Sequence, residues 1–199
     1  MVLEIKNGSL SAEATVLFTD LNFTVRGGEL VCLCGAPGSG KSAVAKSFLG
    51  LQWLDGGYVS IDGTLITPTS APAFRRMAAY VPQHLSRLGT LLHPEECSLP
   101  EPADYSVFEF QLPPVGRKAA TNMPVLTADE TLALIRRTLS AGKAKQFVIA
   151  DEPTIGLSDE QVEQMVILLR QQTAEGKPVL VVSNDERLVG RADKRVNLK

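Results

Sequence analysis

The chain has 199 residues, of which 44% are hydrophobic and 21% are charged, close to the averages of globular domains. This composition excludes a disordered tail, a collagen-like fibre and a coiled-coil rod. The 20 basic and 22 acidic residues give a net charge of −2, so the chain-wide basic surface of nucleic-acid-binding proteins is absent and we expect no nucleic-acid partner.

Targeting and membrane segments are not expected either. The first residues include Glu4 and Lys6 and form no apolar signal-peptide core. Apolar runs such as Phe147–Ala150 and Val179–Val182 are far shorter than the roughly 20 residues of a spanning helix. We therefore expect a cytoplasmic protein, peripheral to the inner membrane face at most, with no span of its own.

Three cysteines, Cys32, Cys34 and Cys97, are an odd number without the spacing of a metal site. Cys32 and Cys34 would share one face of a strand. Buried, reduced thiols are the favoured interpretation, and a redox or metal role is the alternative.

Short apolar segments separated by turns dominate the first 83 residues. Alternating or continuous apolar runs predict strands, and the stretch after Gly35 predicts a helix that stops near Gly50. Turns are expected at residues 27–28 and 62–63. The predicted strands are Val2–Ile5, Leu21–Val25, Glu29–Cys34, Tyr58–Ile61 and Ala78–Val81, and the helix is Lys41 to about Leu49.

Residues 84–124 have a different texture, because they contain half of the twelve prolines. Long helices cannot pass through such spacing. We expect an irregular insertion here, and a surface excursion without activity and a partner-docking lobe remain equally open.

Regular patterning returns after this insertion. Strands and helices alternate, which predicts an α/β fold with parallel strand pairing in a single domain over residues 1–199. The predicted helices are Thr127–Leu139, Asp159–Gln172 and Asp185–Val189, and the predicted strands are Phe147–Ala150, Pro178–Val182 and Arg195–Leu198.

A glycine-rich octapeptide, Gly35 to Ser42, matches the phosphate-loop pattern G-x-x-x-x-G-K-[ST] between a buried strand and a helix. Its backbone N–H groups and the helix N-terminus form an anion cradle, Lys41 faces the β- and γ-phosphates, and Ser42 offers its hydroxyl to Mg²⁺. A glycine-rich turn with a chance Lys-Ser is the alternative. The expected nucleotide contacts are Gly35, Pro37, Gly38, Ser39, Gly40, Lys41, Ser42 and Ala43.

Two acidic residues, Asp151 and Glu152, follow the apolar strand 147–150. Because ligands bind at the carboxyl edge of α/β sheets, Asp151 is expected to hold Mg²⁺ and Glu152 to orient or deprotonate an attacking water. A surface helix cap is the alternative for an isolated Asp-Glu pair.

Four motifs in this order resemble the nucleotide-binding domain of ATP-binding-cassette (ABC) transporters. They are the phosphate loop, Tyr80–Gln83, Asp151–Thr154 and Val181–Asp185. The resemblance covers about residues 2–198 and is weakest at 84–125. It implies a P-loop NTPase core whose parallel sheet is flanked by helices, an N-terminal antiparallel β portion, and a short proline-rich lobe at 84–125 in place of the helical subdomain.

The resemblance also implies ATP and Mg²⁺ as ligands. It gives Gln83 the place of a glutamine that senses Mg²⁺ and nucleotide, and Asn184 the switch position near the γ-phosphate. The implied partner is a membrane permease subunit or a second cassette, which would form a dimer.

Several departures from the family weaken the expectation of efficient hydrolysis. The signature Leu-Ser-Gly-Gly-Gln is replaced by Leu126–Glu130, without either glycine, and Asp129 would bring a negative charge toward phosphate unless it points away. Asn184 replaces a histidine and cannot carry a proton. No adenine-stacking ring stands at residues 8–12, and Phe18 is a poor substitute. Residues 155–158 also differ from the usual Ser-Ala-Leu-Asp.

We therefore expect an ATP-binding subunit of a transporter-type complex with weak ATP hydrolysis. The alternatives are a degenerate regulatory subunit that does not hydrolyse ATP, a non-transport ABC-type ATPase, and a small-molecule P-loop kinase. A kinase would need an arginine-bearing lid, for which residues 84–124 offer only Arg87 and Arg117.

Overall fold

The computed structural model describes residues 1–12, 15–83, 126–140 and 145–198. The predicted lobe at 84–125 and Cys97 lie outside these residues. The described strands are β1 (Val2–Ala12), β2 (Thr15–Arg26), β3 (Leu30–Gly35), β4 (Gly56–Ile61), β5 (Thr64–Leu65), β6 (Ala78–Val81), β7 (Phe147–Asp151), β8 (Val179–Val182) and β9 (Lys194–Leu198). The described helices are α1 (Lys41–Ser47), α2 (Ala71–Met77), α3 (Ala128–Ser140), α4 (Asp159–Ala174) and α5 (Glu186–Val189).

Five strands form a parallel sheet in the order β6-β7-β8-β3-β9. Its inner strands are buried on both faces, which explains their continuous apolar sequences. Along β3, Val31 and Leu33 pack into one core, whereas Leu30, Cys32 and Cys34 pack into another. The predicted α/β class with parallel pairing is confirmed.

A second, antiparallel sheet has the order β2-β1-β4-β5. The turn between β4 and β5 has positive φ at Asp62 (49°) and Gly63 (77°), the combination that two-residue hairpins favour. The predicted antiparallel β portion and this turn are therefore present. β1 and β2 extend well beyond the predicted segments, to Ala12 and from Thr15, because backbone pairing continues where the apolar alternation fades.

Two cores lie on opposite faces of the parallel sheet. One combines α1 with the inner face of the antiparallel sheet, where the rings of Phe23 and Phe48 are 5.9 Å apart between centroids. The other combines the sheet with α3 and α4 through side chains such as Ile135 and Met165. This layering aligns the carboxyl ends of β3, β7 and β8 at one edge, where the site lies.

Helix α2 is an element that the sequence did not predict. It is only seven residues long, has a proline in its first turn, and buries Ala71 and Phe74. Such a segment has too few turns to show helical periodicity.

Cys32 and Cys34 are free and buried, as expected. The Cys34 Sγ lies 3.8 Å from the Cys32 Sγ, and burial raises the pKa of the Cys32 thiol. Within the described ranges, no group of three or more His, Cys, Asp or Glu side chains could hold a metal ion. None of the helices in these ranges has the length and apolarity to cross a membrane.

Candidate nucleotide-binding site

The phosphate loop connects β3 to α1 and needs glycine at two positions for backbone reasons. Gly38 and Gly40 have φ values of 80° and 92°, in the left-handed region. A Cβ on Gly38 would meet open space, whereas a Cβ on Gly40 would lie 3.1 Å from the Phe18 ring. Phe18 is buried, and its ring packs against Gly40. Its ring is therefore not available to stack on a base.

The Lys41 ammonium lies inside the loop. Its Nζ donates hydrogen bonds to the carbonyl oxygens of Gly35 (2.8 Å) and Ala36 (2.9 Å), and the side chain is largely buried. A buried cation attracts anions strongly because little water screens it. The loop thus holds one positive charge at the start of α1.

Other predicted loop residues differ in their surroundings. Pro37 is exposed, and Ala43, the third residue of α1, packs against the core. The Ser39 hydroxyl oxygen is buried without a hydrogen-bond partner among the described residues. A buried polar atom without a partner is costly, so a polar ligand in the loop would be favoured there.

Ser42 and Asp151 meet across 109 residues of sequence. The Ser42 Oγ donates a hydrogen bond of 3.0 Å to the Asp151 Oδ1. The contact exists because β7 lies beside β8 and α1 starts at the same sheet edge. A hydroxyl and a carboxylate are oxygen donors that suit Mg²⁺, which typically takes one or two protein ligands and completes its shell with phosphate and water. The donor set therefore fits this ion.

The Asp151 carboxylate also influences Tyr80 on β6. Burial raises the pKa of the Tyr80 hydroxyl to about 12, and the negative charge of Asp151 adds to the rise. Gln83 follows two residues after β6 and is exposed. Because β6 pairs with β7, Gln83 lies at the same edge as Asp151.

Glu152 occupies a strained backbone position directly after Asp151. Its φ is 48°, and its N–H donates to the Val182 carbonyl oxygen at 2.8 Å. Burial raises the pKa of the Glu152 carboxyl, although the Lys41 charge and a hydrogen bond from Ser183 partly oppose the rise. A raised pKa makes a carboxylate a better proton acceptor near neutral pH.

Asn184 makes two hydrogen bonds to one residue of the phosphate loop. The Gly35 N–H donates to its Oδ1 at 3.0 Å, and its Nδ2 donates to the Gly35 carbonyl oxygen at 2.8 Å. The structure thus gathers Lys41, Ser42, Asp151 and Glu152 with Asn184 at the carboxyl edge of the sheet. The sequence identified Asn184 but not its contact with Gly35.

The segment that replaces the family signature forms a capping box at the start of α3. Thr127 donates its N–H (2.8 Å) and its Oγ1 hydrogen (2.9 Å) to the Glu130 Oε2, and the Glu130 N–H donates back to the Thr127 Oγ1. The two hydrogen bonds from Thr127 lower the pKa of the Glu130 carboxyl. The Thr127 hydroxyl hydrogen is therefore already engaged within its own helix. The pattern T-x-x-E could have revealed this box from sequence.

Asp129 points toward the next helix. Its Oδ1 accepts a hydrogen bond of 2.7 Å from the Gln161 Nε2, and Gln161 also completes a capping box with Ser158 at the start of α4. The N-termini of α3 and α4 are thus joined by polar contacts.

An arginine that the sequence did not indicate, Arg187, links the segment that follows Asn184 to the start of α4, which follows Glu152 in the chain. Arg187 donates from Nε to the Asp185 Oδ1 (2.9 Å) and pairs with Asp159 at the start of α4 (2.5 Å). The Arg187 hydrogen bonds lower the pKa of the Asp185 carboxyl. No pattern in the sequence indicates this pair, because the partners are 28 residues apart.

The model of the family described as "ABC transporter" matches residues 18–179. The chain belongs to the ABC transporter family. As a family member it is an ATP-binding domain, the function that the ordered motifs predicted.

Curated relatives agree with this family. The chain is 26% identical over 185 residues to the uncharacterized ABC transporter ATP-binding protein YphE of Escherichia coli K12, covering 83% of this chain and 36% of that protein. It is 25% identical over 197 residues to the glutamate/aspartate import ATP-binding protein GltL of the same strain, covering 92% of this chain and 80% of GltL. The chain thus spans about a third of the first relative and most of the second.

Solved structures show the same fold. The dimeric post-hydrolysis state of the ATP-binding cassette MJ0796 with ADP and Pi superposes with a TM-score of 0.73 at 19% identity, covering 99% of this chain and 94% of that one. An ATP-binding subunit of an ABC transporter gives a TM-score of 0.66 at 23% identity, covering 100% and 86%. The predicted fold class, with its parallel sheet flanked by helices and its antiparallel portion, is confirmed.

Proposed function

We propose that this ABC family member binds Mg–ATP at its phosphate loop, as one ATP-binding domain over residues 1–199, and hydrolyses it slowly when isolated. The observation that carries the proposal is the 3.0 Å contact between the Ser42 Oγ and the Asp151 Oδ1. This contact joins two oxygen donors of the kind that Mg²⁺ takes, and Ser42 directly follows the buried Lys41 in sequence. Both observations support a shared site for phosphate and metal at this sheet edge.

Each site residue has a proposed task. Backbone N–H groups between Gly38 and Ser42, together with Lys41, bind the phosphates. Ser42, Asp151 and Gln83 hold Mg²⁺, which neutralises phosphate charge when bound. Glu152 accepts a proton from the attacking water or orients it, and its raised pKa suits a proton acceptor.

Slow turnover follows from the segment at the start of α3. In the family this segment reaches the nucleotide on the opposite subunit. Here the Thr127 hydroxyl is engaged by Glu130, and Asp129 adds a negative charge. A homodimer would place this segment against both nucleotides, so a partner cassette with an intact signature would complete the site better than a second copy.

We propose that the chain acts with a membrane permease subunit or a second cassette. The names of the relatives support this proposal, since they include an import ATP-binding protein and the Brucella abortus macrolide export ATP-binding/permease protein MacB. Among the described residues, exposed apolar side chains such as Trp53 and Leu51 offer contact surface for such a partner. We place the assembly at the cytoplasmic membrane face.

A second candidate function is a regulatory subunit that binds ATP without hydrolysing it. The capping box of Thr127 and Glu130 favours it in a homodimer, because its hydrogen bonds leave no free hydroxyl hydrogen for the phosphate bound by the opposite copy. This candidate shares the binding residues with the first and differs only in turnover.

Phosphate release and calorimetric titration together test the proposal. The wild type should bind Mg–ATP and release phosphate slowly, and Glu152→Gln should abolish release while ATP affinity stays within about threefold. Glu160→Gln, an exposed glutamate in the first turn of α4, is the matched control and should match the wild type. ATP binding without any turnover would select the regulatory function. A wild type that does not bind ATP, or a Glu152→Gln variant with full turnover, would contradict the proposal.

A further inference from the structure

Asn184 lies just beyond the end of β8, where β3 continues to Gly35 without a backbone partner on that side. β3 and β8 pair in register from Leu30 with Val179 to Leu33 with Val182, and the Ser183 N–H still donates to the Leu33 carbonyl oxygen. Continuing this register places Gly35 opposite Asn184. At that position the side-chain amide, rather than the backbone, satisfies both the N–H and the carbonyl oxygen of Gly35.

The Gly35 carbonyl oxygen is shared. It accepts from the Asn184 Nδ2 (2.8 Å) and from the Lys41 Nζ (2.8 Å). A chain of contacts therefore runs from the end of β8 through the first residue of the phosphate loop to the ammonium group. Anything that releases Gly35 from Asn184 also loosens one of the two anchors of Lys41.

The amide group is the chemical feature that this arrangement needs. An asparagine side chain presents a donor and an acceptor side by side in one plane, as a peptide group does. Aspartate has no donor at neutral pH, and leucine has neither group. Histidine carries its two nitrogens on different sides of the ring, so they cannot both reach one peptide unit.

We infer that Asn184 is a positioning residue that fixes Gly35, and through it Lys41, for the phosphates that ATP and ADP have in common. The inference rests on the proposed nucleotide binding and changes the role of Asn184. Removing a side chain that contacts the γ-phosphate would lower the affinity for ATP alone. Removing one that fixes the loop lowers the affinities for ATP and ADP equally.

The first test is calorimetric titration of Asn184→Leu with Mg–ATP and with Mg–ADP. We expect both affinities to fall about 5- to 150-fold, the range for losing two hydrogen bonds, with an ATP-to-ADP ratio unchanged within about twofold. Asn197→Leu, an exposed asparagine on β9, is the matched control and should leave both affinities unchanged. A loss confined to ATP, or no loss at all, would overturn the inference. Asn184→Asp can still accept from the Gly35 N–H but cannot donate to the Gly35 carbonyl oxygen, so both affinities should fall in this variant too.

The second test needs no nucleotide and separates this inference from the proposed function. Amide hydrogen exchange of the free protein, followed by NMR, should show the Gly35 N–H exchanging at least about tenfold faster in Asn184→Leu than in the wild type. The Cys32 N–H, inside β3, should keep its rate. Unchanged exchange at Gly35 would overturn the inference even if ATP binds as proposed. Faster exchange in Asn184→Leu, together with a wild type that binds no nucleotide, would support the contact and refute the proposed function instead.

Discussion

Restoring glycines at the start of α3 should lower the stability of the protein and allow it to dimerise with ATP. The change is Ala128→Gly with Asp129→Gly, made in the Glu152→Gln background so that bound ATP is not consumed. The replacement removes the Asp129 carboxylate and its hydrogen bond to Gln161, and it frees the backbone of the first helical turn for close approach.

The stability cost can be worked from these contacts. Ala128→Gly costs up to about 1 kcal/mol in a helix, Asp129→Gly costs only about 0.3 kcal/mol because aspartate is itself a weak helix former, and the exposed hydrogen bond from Gln161 contributes about 0.5–1.5 kcal/mol. The total is about 2–3 kcal/mol, which for a chain of this size lowers Tm by about 4–12 °C. Against this cost, the repaired segment no longer carries a negative charge toward the nucleotide of a second copy.

Light scattering with and without Mg–ATP measures the gain, and thermal unfolding measures the cost. We expect the unrepaired Glu152→Gln protein to stay monomeric with ATP and the repaired protein to dimerise. Ala133→Gly, on the exposed middle of the same helix, is the matched control: it should lower Tm without producing a dimer. A tight ATP-dependent dimer of the unrepaired protein would refute this reasoning, and so would equal dimerisation in the Ala133→Gly control.

Base selectivity and pH dependence give two further predictions. Because Phe18 is buried against Gly40, we expect GTP to bind within about tenfold of ATP in competition titrations, and a hundredfold preference for ATP would contradict this. Because burial raises the pKa of Glu152 and this residue must be deprotonated to act, turnover should fall as pH decreases, with a midpoint above the ordinary glutamate range. Ser183→Ala removes a hydrogen bond that lowers this pKa, so it should move the midpoint higher; a midpoint that stays or falls would contradict the assignment.

Most of the fold was predictable because its signals are local. The continuous apolar runs of β3, β7 and β8 are read directly as doubly buried strands, and their alternation with helices implies parallel pairing. The full lengths of β1 and β2 were not predictable, since the pairing of residues such as Gly8 and Ser9 depends on partner strands rather than on apolar alternation. The seven-residue helix α2 was missed for lack of periodicity.

In the candidate site, too, the sequence predicts the local motifs but not the contacts between distant residues. The loop Gly35–Ser42 and the Asp151-Glu152 pair follow from sequence, because each motif has a fixed spacing next to a strand. The contacts of Asn184 with Gly35 and of Arg187 with Asp159 join residues far apart in the chain, and no spacing encodes them. The capping box at Thr127 has a local sequence pattern, T-x-x-E, and could have been predicted from the sequence alone.

The measurement that tests the central claim most directly is calorimetric titration of Lys41→Met with Mg–ATP. The Lys41 ammonium is buried in the loop against two carbonyl oxygens, and removing it takes away a charged partner of the phosphates. We predict a loss of about 1–3 kcal/mol, or about 5- to 150-fold in affinity, whereas Lys46→Met, an exposed lysine on the same helix, should bind as the wild type does. Equal affinities of Lys41→Met and the wild type would contradict the assignment of residues 35–42 as the ATP site.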